Sequence, residues 1–171
     1  MNGKRCAIIG APPMSFPWGY DEEDEDCALL KLKMIREITY LQTHGVRGFV
    51  VPMDSGVCLY AAEIVNDLRE KAPSLELVCV IPYEEQATKW TPELRERYFT
   101  ALAQCSSTIL IGAHREELCE FQAMLRAVHE SDMILFVQSE EQEMDPSIAA
   151  LEYFCERDGM ETKAIYPQRF K

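Results

Sequence analysis

Binding a phosphate requires backbone that can approach the anion closely, and the sequence offers two such places. Gly10 closes the first apolar run, and Pro52-Met53-Asp54-Ser55-Gly56 leads into a helical segment. Amides near Ser55, Gly56 and Val57 could hold an anion at that helix start. Asp54 or Ser55 capping the helix accounts for the same pattern without a ligand. Neither GxGxxG nor GxxxxGKS/T occurs, so the sequence indicates no cofactor. Trp18, Tyr20, Tyr83 and Trp90 present planar faces that suit a nucleobase, and that equally suit packing a loop onto a domain. Glu63, one turn into the helix, is a carboxylate able to meet a ribose hydroxyl or activate water; otherwise it is a surface acid. It is the only catalytic candidate, and a weak one. Ser55 has no GxSxG elbow and no histidine at a recognisable offset. His44, His114 and His129 share no ligand spacing with the cysteines, so no metal is expected. The acidic run Asp21–Asp26 lacks the glycine of a calcium loop and reads as a solvated approach to a helix N-terminus.

These residues depend on elements that the hydrophobic pattern marks out. Strand-length apolar runs cover Arg5–Ile9, Gly48–Val51, Leu75–Ile81, Thr108–Ile111, Met133–Val137 and Lys163–Tyr166. Most are continuous rather than alternating, as in strands buried on both faces. Between them run helical patterns. Leu30, Met34, Ile38 and Leu41 form one stripe, which Gly45 stops. Ala61, Ile64, Val65 and Leu68 form the next. Thr91-Pro92-Glu93 opens a helix with Leu94, Tyr98, Ala101 and Cys105 inward. Leu118, Phe121, Leu125 and Val128 form a fourth stripe. Asp145-Pro146 opens a fifth through Ile148, Leu151 and Cys155, ending at Gly159. The alternation predicts an α/β, three-layer Rossmann-like sandwich with a mostly parallel sheet, residues 1–171 forming one domain. Two connections, Gly10–Asp26 and Pro82–Trp90, are longer than such a fold needs and follow strands. They therefore lie at the carboxyl edge of the sheet, where open α/β folds bind ligands, and the polar segment Ser139–Asp145 joins them there.

Composition narrows the function further. Of 171 residues, 29 are acidic and 17 basic, a net charge of −12 that repels phosphate backbones and argues against nucleic acid as a partner. No apolar run of about 18 residues occurs, so no membrane span is expected. The 7 cysteines are odd in number, evenly spread and without a CxxC, which fits reduced, buried thiols in a cytoplasmic setting.

Gly10-x-x-Pro13 followed by Phe16-Pro17-Trp18-Gly19-Tyr20-Asp21-Glu22-Glu23-Asp24 resembles the opening of the YpsA-like branch of the SLOG (Smf/DprA and LOG) superfamily. Gly56-Val57-x-Leu59-Tyr60-Ala61-Ala62-Glu63-Ile64-Val65 resembles its glycine loop and helix. Ile81-Pro82-Tyr83-Glu84-x-Gln86-Ala87-x-x-Trp90, Glu96-Arg97-Tyr98 and Ser131-Asp132 continue the similarity along nearly the whole chain. The resemblance implies a Rossmann-like fold whose glycine-rich edge binds a nucleotide-derived ligand. The ligand-binding set it suggests is Gly10, Trp18, Ser55, Gly56, Glu63, Tyr83, Gln86 and Trp90. It also leaves room for a homo-oligomer or a protein partner, and the branch is linked to bacterial cell division and stress.

The departures from the branch fall in the pocket. Ala11 and Pro12 stand where it has His-Arg, Val51-Pro52 where it has Ser-Gly, and Cys58 where it has an acid. Ala123-Met124-Leu125-Arg126 replaces an arginine-rich stretch, and Glu140-Glu141-Gln142-Glu143 a glycine-glycine-threonine turn. Scaffold residues are kept while anion-binding ones are not. The sequence therefore favours a non-catalytic binder or sensor of a nucleotide-derived ligand, or a scaffold that has lost it. The alternative is a nucleotide-processing enzyme using Glu63 on a ligand at Gly10 and Gly56, with Arg126, Arg115 or Lys89 facing the phosphate.

Overall fold

A computed structural model describes residues 3–139 and 145–167. Six parallel strands, β1 (Lys4–Gly10), β2 (Val46–Pro52), β3 (Glu76–Tyr83), β4 (Ser107–Gly112), β5 (Met133–Val137) and β6 (Glu161–Ile165), form one sheet in the order β4-β3-β2-β1-β5-β6. The helices are α1 (Glu25–Thr43), α2 (Val57–Lys71), α3 (Pro92–Gln104), α4 (Cys119–His129) and α5 (Pro146–Arg157). The chain steps outward from β1 to β4, then returns past β1 to β5 and β6. Right-handed crossovers put α1, α2 and α3 on one face and α4 and α5 on the other. The sheet is thus sandwiched in three layers, and the order in which its strands are added reverses between β1 and β5.

Local chemistry sets the helix ends. The Asp24 carboxylate accepts the Asp26 amide at 2.8 Å at the start of α1, so the acidic run delivers a cap and a first turn of acids. Thr91 Oγ1 accepts the Leu94 amide, with Pro92 in the first turn of α3, and the Asp145 carboxylate caps α5. The start of α2 differs from expectation. Gly56 is its N-cap and has no side chain to offer, while the Asp54 carboxylate accepts the Ser55 amide at 2.7 Å. Neither Asp54 nor Ser55 caps this helix.

The core is continuous through β1, β2, β3 and β5, with Cys6–Ile9, Phe49–Val51, Leu77–Val80 and Ile134–Val137 buried. On α1, Leu30, Met34, Ile38 and Leu41 are buried as the spacing predicts. Two expectations are corrected. β4 is an edge strand, largely exposed, with Leu110 49% accessible, because α4 covers mainly β2 and β3. On α4 the buried stripe is Cys119, Ala123 and Ala127, while Leu118 and Leu125 are exposed. Small side chains let this helix lie close across the sheet; Met124 and the expected Val128 pack partly buried against the core, while Leu118 and Leu125 project past it. The strand expected at Lys163–Tyr166 runs over Glu161–Ile165. The acidic stretch Glu140–Glu143 lies outside the described residues.

Candidate functional site

At the carboxyl edge of β1, β2 and β3, the connections to α1, α2 and α3 enclose a cavity of about 460 Å³. The β1–α1 connection supplies Tyr20 and Glu22, and the β2–α2 turn supplies Ser55. The β3–α3 connection and the first turns of α3 supply Lys89, Trp90, Thr91, Glu93, Leu94 and Arg97. Tyr20 Oη and Ser55 Oγ lie 3.4 Å apart, so the first two connections meet across a hydroxyl pair. Trp90 is held edge-on against the buried Tyr98 ring at 5.1 Å, which fixes one aromatic wall on rigid helix packing. Tyr20, 56% exposed, offers a second face at the mouth.

One charged network holds the back of this cavity. Arg97 donates to both oxygens of Glu22, at 2.6 and 3.0 Å, and to both oxygens of Glu63, at 3.1 and 2.6 Å. Lys31 on α1 adds a bond to Glu22 at 2.6 Å. A guanidinium fork suits such paired carboxylates, and here it ties the β1–α1 connection, α2 and α3 together. Burial would raise the Glu22 pKa; the hydrogen bonds from Arg97 and Lys31 outweigh it and keep the carboxyl below its usual value. The bond to Glu63 pushes the Arg97 pKa up, so this arginine stays charged throughout the working range. Lys89 makes no ion pair among the described residues and is the cavity's open cation.

The glycines do different work. A Cβ on Gly10 would fall 2.3 Å from Val57 Cγ1, and one on Gly56 would fall 2.7 Å from the Pro13 ring. Gly56 also has φ +79°, which a side chain disfavours. At both positions the space a side chain would take is therefore filled by the chain's own packing. Val57, Cys58 and Leu59, the first turn of α2, are all buried beneath this packing.

The expected site residues separate accordingly. Ser55 and Trp90 line the cavity. Gly10 and Gly56 lie behind it under Val57 and Pro13. Glu63 borders a separate cleft of about 330 Å³ with Asn66, Asp67 and Glu96, its oxygens engaged by Arg97. Trp18 is 8% exposed and stacks on Phe16 at 4.9 Å, packing the loop. Gln86 is buried and donates to the Met53 carbonyl at 2.6 Å, bracing the β2 end. Burial raises the pKa of Tyr83, whose charged neighbours are Arg115, Glu120 and Asp54. Of the cations expected at a phosphate, only Lys89 reaches the cavity; Arg126 pairs with Glu130 on α4, and Arg115 lies 3.6 Å from Glu120.

Sequence reasoning missed the placement of Arg97, Glu22 and Glu93. The available signal was an arginine set into the inward stripe Leu94–Tyr98–Ala101, where an unpaired charge would be costly. Asp54 is a further perturbed group. Burial drives its carboxyl up to about 6, the Ser55 amide opposes this, and Glu120 adds to it. Among the described residues no cluster of three or more His, Cys, Asp or Glu could hold a metal, and no helix is long and apolar enough to cross a membrane.

Comparison with known proteins gives this site a context. The family model described as the YspA SLOG family (YpsA) matches residues 6–169. The UPF0398 protein YpsA of Bacillus subtilis (strain 168) is 29% identical over 163 residues, covering 91% of this chain and 88% of that protein. A UPF0398 protein of Bacillus cereus (strain G9842) is 29% identical over 147 residues, 84% of this chain and 78% of that one. One from Bacillus pumilus (strain SAFR-032) is 28% identical over 102 residues, spanning 59% of this chain and 54% of that protein. A match running through all six strands and the site-forming connections places the chain: it belongs to the YpsA family of SLOG proteins.

Proposed function

We propose that the chain is a non-catalytic binder of a planar, nucleotide-derived small molecule, held in the cavity between Tyr20, Ser55 and Trp90. The observation that carries this reading is that cavity. At about 460 Å³ it falls within the range of small-molecule sites, sits at the carboxyl edge of the sheet, and combines aromatic faces with hydroxyls and charges. Trp90 is braced by Tyr98, and Ser55 and Thr91 supply donors and acceptors at the ring edge. The hydrolytic alternative needs a free carboxylate at Glu63, and both oxygens of Glu63 are engaged by Arg97. A thermal-shift screen of bases, nucleosides, nucleotides and ADP-ribose tests the proposal. A ligand at a hundredfold excess over Kd adds about 2.7 kcal/mol to stability, a shift of several degrees for a domain of this size. The expected result is a shift for one chemical series that Trp90→Ala abolishes. No shift across the panel at millimolar concentration overturns the reading and favours a scaffold acting through protein partners.

A further inference from the structure

We infer that the cavity is built for the unphosphorylated form of its ligand, a nucleobase or nucleoside, and discriminates against the 5′-phosphate. The inference rests on the binding reading above and names the ligand class more narrowly.

Three observations carry it. First, the amides that would cradle a phosphate are covered. Ser55 and the first turn of α2, Val57, Cys58 and Leu59, are buried, and the Ser55 amide is already taken by the Asp54 carboxylate. Second, the strongest cation at the cavity is already committed. Arg97 makes four hydrogen bonds to two carboxylates and has one of its five N–H donors left, so a phosphate taking the paired contact a guanidinium favours would have to displace Glu22, which would keep only Lys31, or Glu63. Third, Lys89 is the remaining cation in the lining, and Glu93 offsets it on the adjoining turn. A dianion entering here also meets the field of a chain carrying a net charge of −12. An uncharged ring with N–H and hydroxyl groups meets none of these obstacles. Tyr20 and Trp90 offer faces, and Ser55, Thr91 and Glu93 offer acceptors for the edges of a base or a ribose.

The test compares affinities of the full chain for adenosine, guanosine, cytidine and uridine with those of their 5′-monophosphates, by calorimetry at pH 7.5 and low salt. The expected result is that the best nucleoside binds at least tenfold more tightly than its own monophosphate. The gap should also narrow severalfold in Glu63→Gln, which loosens the clamp on Arg97 from outside the cavity lining. Far-ultraviolet circular dichroism confirms that this variant is folded. A monophosphate that binds as tightly as its nucleoside, or more tightly, overturns this inference while leaving the cavity as a binding site. An unchanged ratio in Glu63→Gln also overturns it, because the committed arginine is then not the cause. Failure of every nucleoside and nucleotide to bind, with no shift for the free bases in the thermal-shift screen, overturns this inference, and the reading on which it rests falls as well when ADP-ribose also gives no shift.

Discussion

Asp54 provides a quantitative test of how the carboxyl edge of β2 is built. Its carboxylate accepts the Ser55 amide at 2.7 Å, yet burial outweighs that bond and lifts its pKa from 3.8 to about 6. The group is thus held more easily protonated in the folded chain than in the unfolded one. A raised acid contributes stability that is fully present below the unfolded value and is lost as pH rises through the folded value. Here the loss begins near pH 3.8, is steepest up to about 6 and is complete above it. Raising the carboxyl this far corresponds to roughly 3 kcal/mol at most, of which roughly 1.5 kcal/mol falls between pH 5 and pH 7.5.

Asp54→Asn keeps an oxygen for the Ser55 amide and removes the titration. The variant's absolute stability also contains the burial of a new amide, so the informative quantity is a slope. Urea denaturation of both proteins at pH 5, 6 and 7.5 gives it. Between the extremes the natural chain should lose about 1.5 kcal/mol relative to Asp54→Asn, a few degrees in Tm for a domain of this size. Taking the difference cancels the other acids, including Glu22, whose lowered value acts in the opposite direction. Stability curves that run parallel within about 0.5 kcal/mol would refute the argument and show Asp54 to be solvated in solution.

Other perturbations probe the surrounding parts. Gly10→Ala should destabilise by about 1–3 kcal/mol through the clash with Val57; in urea melts, adding Val57→Ala should recover part of the loss, and strict additivity would contradict the packing. Arg97→Met leaves Glu22 and Glu63 without their shared partner, and because the network is about one-third exposed the expected cost is about 1–2 kcal/mol. Thermal melts in low and high salt check this, and the loss should shrink as salt screens the two carboxylates. With a bound ligand, fluorescence quenching should vanish in Trp90→Phe and persist in Trp18→Phe, because only Trp90 lines the cavity.

Where burial follows the size and period of side chains, the fold was legible. The α1 stripe Leu30–Met34–Ile38–Leu41 and the caps at Thr91 and Asp145 sit where the pattern puts them. Legibility failed where closeness rather than hydrophobic bulk decides burial. On α4 the eye goes to Leu118 and Leu125, whereas Cys119, Ala123 and Ala127 face the sheet. β4 reads as a buried strand from Thr-Ile-Leu-Ile, yet sheet order makes it an edge, and sheet order is not written in any one segment.

The site divides along the same line. That two long connections meet at one sheet edge follows from topology, so a cavity containing Ser55 and Trp90 was within reach of the sequence. Which side chain fills which gap was not, because it depends on contacts between distant segments. Gly10 and Gly56 look alike as potential anion cradles, and only the positions of Val57 and Pro13 reveal that both glycines are required by packing within the chain. Arg97 is likewise an ordinary helix arginine in sequence, two residues after Arg95, and one clamped by two carboxylates in space, 75 residues from Glu22 and 34 from Glu63.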